Sequence, residues 1–220
     1  MAVINLEFDS DKNTISVKTK AKGDGLSESF RITEDTFSNL FAGRYCTGYL
    51  SVSQDGPVYI EEREGARVVI VQRGFRLNQP ITWAGRSTNI ASPWTFFGFK
   101  LAPANNGFTR SRECIAVSDG PCRGAVSQIY SAEFMGNVYR GGLSSVSTSN
   151  TNICWGNTAV APGGVVSMAS LTNIANDFFV QPFTSHLEPS LARWEEFAKT
   201  NTIPSPRWGT LNEMIEQLWK

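Results

Sequence analysis

Apolar residues recur with period two through the first two thirds of this chain and with period 3.6 through the last third, and that switch limits the fold more than any other feature. Residues 3–8 and 14–20 alternate apolar with polar side chains across the turn-forming segment Asp9-Ser-Asp-Lys-Asn13, which is hairpin chemistry. Gly23-Asp-Gly25 closes the second run. Thr33 has the character of an N-cap for a short helix: Glu34 and Asp35 follow in its first turn, Phe37, Leu40 and Phe41 share a face, and Gly43 closes the end.

Three more strands are expected at 49–52, 58–62 and 68–72. They are separated by Asp55-Gly56 and Glu64-Gly65, tight-turn pairs that imply an antiparallel meander. Residues 94–101 form an aromatic-rich run without clean alternation, the pattern of a central strand covered on both faces. A short strand is expected at 114–117, ahead of the loop Ser118-Asp-Gly-Pro-Cys-Arg-Gly124. Residues 141–152 are rich in Gly, Ser, Thr and Asn with few apolar anchors and read as a mobile surface loop.

The last third is helical in pattern. Ser167 caps a helix whose Met168, Leu171, Ile174, Ala175 and Phe178 share a face, and Pro189 suits the first turn of a helix carrying Leu191, Trp194 and Ala198. Thr210 and Glu213 have capping-box spacing, and Leu211, Met214, Ile215, Leu218 and Trp219 form one stripe behind them. No internal repeat is visible. Strands first and helices afterwards predict an α+β fold: an antiparallel β-meander with flanking helices, preceded by an N-terminal β extension. The extension and its helix occupy residues 1–45, and the main domain 46–220.

Composition removes several classes of function. With 20 Lys+Arg against 20 Asp+Glu in 220 residues the chain has no net charge, and Lys18, Lys20 and Lys22 alternate with small residues as a solvated strand face, so no nucleic-acid partner is expected. The apolar runs 94–99 and 160–166 fall far short of the roughly 20 residues that span a bilayer. The segment MAVINLEFDSDK lacks a basic region followed by an apolar core, which predicts a cytoplasmic protein with reduced thiols. Four cysteines without a CxxC, and the single histidine His186, supply no zinc spacing.

His186 also limits catalysis. No GxSxG elbow accompanies it, Ser185 is only its sequence neighbour, and its place ahead of a helix is that of a capping or packing histidine. A phosphate loop is absent as well, since Gly141-Gly142 leads to no helix. Cysteine is the remaining reactive element. Cys154, in Thr151-Asn-Ile-Cys-Trp-Gly-Asn157, follows a loop whose amides suit a thiolate and an oxyanion, although from composition and spacing alone Ile153-Cys154-Trp155 reads more readily as plain core.

Two motifs add a resemblance. The run Gln128-Ile-Tyr-Ser-Ala-Glu-Phe-Met-Gly-Asn-Val-Tyr139, then a glycine-containing loop, then Asn152-Ile-Cys-Trp-Gly-Asn157, resembles the core of the ubiquitin-conjugating-enzyme (UBC) superfamily. The closer similarity is to its bacterial branch, the PRTRC (ParB-related, ThiF-related cassette) system protein B family. It rests on Tyr130, Ala132, Phe134, Asn137-Val138-Tyr139 and Cys154-Trp155-Gly156-Asn157, with Asp177-Phe-Phe and Phe183-Thr-Ser-His186 downstream, over about residues 94–190. Met135-Gly136 stands where the superfamily has His-Pro, the loop before Cys154 is longer, and Trp155-Gly156 replaces Leu and an acid.

The resemblance implies a UBC-like fold in which Cys154 carries a ubiquitin-like protein as a thioester and Asn137 steadies the oxyanion. The partners it implies are that ubiquitin-like protein and a ThiF-type activating enzyme, with no metal or organic cofactor and no membrane. Two alternatives stand beside the carrier: a non-catalytic binding protein of the same fold, and an unrelated β-rich assembly subunit of a phage or cell surface.

Overall fold

The computed structural model describes residues 3–9, 14–20, 27–33, 48–50, 54–105, 107–136, 138–140, 151–153, 164–183, 191–205 and 207–220. Its N-terminal strands β1 (Val3–Asp9), β2 (Thr14–Lys20) and β3 (Ser27–Thr33) form a three-stranded antiparallel sheet in sequence order. The expected hairpin is therefore present, and a third strand extends it. Thr33 ends β3 rather than opening a helix, while the rest of that expected helix and the 45/46 boundary lie outside the described residues.

A larger antiparallel sheet follows. Its strands β4 (Gly48–Tyr49), β5 (Gly56–Arg63), β6 (Ala66–Arg73), β9 (Trp94–Ala104) and β10 (Gly107–Ser118) lie side by side in that order. Glu64 and Gly65 join β5 to β6 with φ of 52° and 79°, both positive as a two-residue hairpin turn requires. Between β6 and β9 the chain leaves the sheet to make a second hairpin, β7 (Arg76–Trp83) and β8 (Arg86–Ser92), turned by Ala84 and Gly85 at φ 46° and 81°. This excursion interrupts the simple meander expected from sequence. Beyond β10 the sheet continues through β11 (Gln128–Ser131) to β16 (Arg207–Thr210), and β14 (Val165–Val166) pairs with the first half of β10.

Both faces of the central strands are buried, because alternate residues of each strand feed two separate cores. Val69, Val71, Phe97, Phe99, Ile115 and Val117 point to one core, and Val68, Ile70, Phe96, Cys114 and Ala116 to the other. The first core is covered by α1 (Met168–Val180), α2 (Leu191–Thr200) and the β7–β8 hairpin, and the second by α3 (Leu211–Trp219). This is α+β architecture with helices on a predominantly antiparallel sheet, as the change of period implies.

The helix boundaries follow their caps. The Ser167 hydroxyl accepts from the Ser170 N–H and the Ser170 hydroxyl from the Ser167 N–H, a reciprocal box that starts α1. Thr210 and Glu213 make the same exchange at the start of α3. At the other end of α3, Lys100 Nζ donates to the Trp219 carbonyl at 2.9 Å and Arg112 to that of Gln217 at 3.0 Å, so cations meet the negative end of the helix dipole. In α2 the buried pair is Trp194 and Phe197, whereas Ala198 of the expected stripe is exposed. Among the described residues no helix is long and apolar enough to cross a membrane.

Candidate functional site

The two motifs meet in one short stretch of structure. β11 carries Tyr130 into the sheet, pairing Ala116 with Ser131 and Val117 with Tyr130. The chain then tightens into a 3-10 turn at Glu133–Met135, in which the Met135 N–H donates to the Ala132 carbonyl at 2.9 Å and Phe134 and Met135 are fully buried. After Gly136 come β12 (Val138–Arg140) and β13 (Thr151–Ile153), an antiparallel pair whose register joins Val138 to Ile153, Tyr139 to Asn152 and Arg140 to Thr151. Val138 and Ile153 are buried in the first core, and β13 lies against β10. Thr151 and Asn152, expected in a loop, are therefore strand.

Gly136 has a conformation that explains its residue type. At φ 77° and ψ 168° it occupies a region that is essentially glycine-only. A Cβ placed there would lie 3.0 and 3.1 Å from Cζ3 and Cη2 of Trp83 and 3.4 Å from Phe183. A proline, fixed near φ −65°, is excluded from this backbone, so the departure from His-Pro at Met135-Gly136 is a different turn and not a conservative exchange.

Of the residues selected from sequence, Asn137, Cys154, Ser185 and His186 lie outside the described residues. What the structure brings together is their surroundings: Val138, the chain neighbour of Asn137, pairs with Ile153, the chain neighbour of Cys154. Residues that sequence reasoning passed over are Trp83, which stands over Gly136, and Phe183 in its packing role. Strand β15 (Pro182–Phe183) runs parallel to the end of β7 and places Phe183 opposite Trp83.

Two other thiols are described. Burial, and secondarily the charge of Glu113, pushes the Cys114 thiol well above its usual range; Cys122 is half-buried and burial raises it too. Neither is primed as a nucleophile, since the thiolate is the reactive form.

Charge inside the first core is carried by Arg73. Its guanidinium donates to Asn176 Oδ1 at 3.2 Å, to Ser92 Oγ at 3.0 Å and to Gln79 Oε1, and lies 3.8 Å above the Phe179 ring. Burial, and next the charge of Arg76, pull its pKa down to about 10. Neutral acceptors and a ring face surround it, an arrangement that ties β6 to α1.

Open cavities lie elsewhere among the described residues. One of about 390 Å³ separates β8 from α2, and one of about 350 Å³ sits by Phe75, Trp94 and Asp119. Among the described residues no three His, Cys, Asp or Glu side chains gather as metal ligands. No protein-family model matches this chain, and no curated protein or solved structure matches it either.

Proposed function

We propose that the chain is a carrier of the ubiquitin-conjugating type, taking a ubiquitin-like protein from a ThiF-type activating enzyme onto Cys154. In the loading step the Cys154 thiolate attacks the activated C-terminal glycyl carbonyl; a carbon–sulfur bond forms and the donor's leaving group departs. In discharge an amine attacks that carbonyl, the carbon–nitrogen bond replaces the carbon–sulfur bond, and the amine proton passes to solvent. The Asn137 amide donates to the oxyanion of this second step.

The observation that carries the reading is the β12–β13 register. It joins the immediate neighbours of the two residues that the resemblance assigns to the chemistry, although their motifs are separated by a long polar insertion. The order of elements supports it as well: antiparallel strands β5, β6, β9 and β10 lie side by side, then comes the motif hairpin, then helices.

A synthetic peptide ending in Gly-Gly as its mercaptoethanesulfonate thioester tests the reading without any partner protein. The wild-type chain should acquire the peptide mass on Cys154, and Cys154→Ala should acquire none. Cys154→Ser should hold the peptide as a more stable ester. Asn137→Ala should load normally and transfer to free lysine about 10²–10³-fold more slowly, the usual cost of losing one oxyanion donor. A wild-type chain that takes no acyl group at Cys154 sinks the carrier reading.

A further inference from the structure

We infer that Trp83 is a positioning residue for this site: its indole, backed by Phe183, is the wall that holds Gly136 in the conformation through which the chain enters the β12–β13 hairpin. The inference rests on the carrier reading and adds to it a residue from a distant hairpin that neither motif contains.

The wall is rigid. Trp83 stacks on Phe183 with 6.1 Å between centroids and 10° between planes, and meets Trp194 edge-on at 6.4 Å. Phe183 is itself wedged edge-on between Phe178 and Trp194, each 5.3 Å away. Backbone bonds fix the two wall residues to each other: Trp83 pairs with Phe183 in the parallel ladder, and the Ala84 N–H donates to the Phe183 carbonyl at 2.9 Å. Trp194 is pinned in turn by its indole N–H, which donates to the Ala91 carbonyl at 2.8 Å. The ring over Gly136, carried on β7, therefore has two elements behind it: β15 and α2.

Gly136 meets this wall with the side where a Cβ would stand, and the preceding turn is anchored in the same aromatic cluster by fully buried Phe134 and Met135, Phe134 meeting Trp194 edge-on at 6.5 Å. A glycine at positive φ is free to leave that conformation unless packing forbids it. Here the indole restricts it from the side, and the buried Phe134 and Met135 fix the chain that leads into it. The dihedrals of Gly136 set the course on which the chain leaves the turn for β12, so the ring that fixes those dihedrals fixes that course.

Two measurements on the full-length chain test this. The first is the Hα shift of Gly136: the Trp83 ring should displace it through its ring current, and Trp83→Leu should return it to an ordinary glycine position. The second uses the Gly-Gly thioester peptide and free lysine. Trp83→Leu should load Cys154 within about twofold of wild type but discharge about tenfold more slowly, a difference of about 1.4 kcal/mol in barrier. Trp83→Phe, which keeps the stack and withdraws the ring edge, should fall between them and serves if the leucine variant folds poorly. Gly136→Ala should discharge slowly too, because an alanine is strained at this φ whatever room stands beside it.

An unshifted Gly136 resonance, or a Trp83→Leu variant that folds and discharges as wild type does, overturns the positioning role while leaving the carrier reading intact. A wild-type chain that never loads brings down the carrier reading, and the positioning role with it.

Discussion

The two faces of the central sheet are built from different materials. The face under α3 is mainly aliphatic: Leu211, Met214, Ile215 and Leu218 press on Val58, Val68 and Ile70, and its charged groups stay at the rim. The face under α1, α2 and the β7–β8 hairpin is aromatic, with Trp83, Phe134, Phe178, Phe179, Phe183, Trp194 and Phe197 in mutual edge and stacked contact, and it buries Arg73 among them. Aliphatic side chains fill volume with little orientational demand, whereas ring pairs prefer defined geometries. The first face thus seals the sheet, and the second also holds a backbone conformation, that of Gly136.

The largest expected effect comes from removing the seal. Truncation after Gly209 exposes the sheet surface covered by four fully buried side chains, each contributing about 1.5–3 kcal/mol, and removes the capping box and the Lys100 and Arg112 clamps. The expected product is insoluble or lacks a cooperative thermal transition. A melting curve like that of the full chain would show that α3 is not part of the core.

On the aromatic face, Trp194→Ala removes a fully buried ring that contacts Trp83, Phe134 and Phe183 together with the bond to Ala91. The expected loss is about 3–5 kcal/mol in denaturant unfolding. The Gly136 Hα should move as well, because the wall behind Trp83 has gone. On the aliphatic face, Gly98→Ala adds a methyl group where Leu218 Cδ1, Cys114 Sγ and Met214 Cε would lie 2.7–2.9 Å away. A smaller loss of about 1–3 kcal/mol is expected from overpacking, with no shift at Gly136. If Gly98→Ala moved the Gly136 Hα, the two cores would not be independent.

Legibility in the sequence follows the same division. The aliphatic face was readable because its information is local: Thr210, Glu213 and the stripe from Leu211 to Leu218 lie in one segment, and helix periodicity displays them directly. Strands β2, β5, β6 and β9 were readable for the same reason, with Glu64-Gly65 marking a turn. The β7–β8 hairpin was not, because Pro80 and the polar run Arg86-Ser-Thr-Asn89 break the alternation that identifies a strand, and Ala84 at positive φ is no ordinary turn residue. β3 was missed because its only apolar residues are Phe30 and Ile32, too short an alternation to stand out, and its last residue, Thr33, also fits an N-cap. At the candidate site, the motifs marked Asn137 and Cys154, but Trp83 lies more than fifty positions from Gly136, and nothing in its local sequence indicates a contact made by tertiary packing alone.

The smallest effect concerns the charged rim of the aliphatic face. Glu61 on β5 accepts from Tyr59 Oη at 2.9 Å, Arg63 Nε at 2.9 Å and the Trp219 indole at 2.6 Å, so it links the end of α3 to the sheet. Burial acts to raise its pKa, but the bonds from Arg63, Trp219 and Tyr59 outweigh it and hold the carboxyl below its usual range. A carboxyl depressed in the folded state binds its proton more readily when unfolded, so its contribution is complete above the ordinary glutamate pKa of about 4.3 and disappears as pH falls through the lower folded value. Wild type should accordingly be more stable than Glu61→Gln at pH 7, and the gap between their melting temperatures should narrow below pH 4. The alkaline side has the opposite sign: burial leads the rise of Tyr49 to about 12, so neutral Tyr49 favours the folded state up to pH 10 and loses that preference between 10 and 12. Melting curves of the two proteins that run parallel from pH 7 to pH 2.5 would mean that Glu61 does not clamp α3, and that the aliphatic face is held by its apolar contacts and helix caps without its rim.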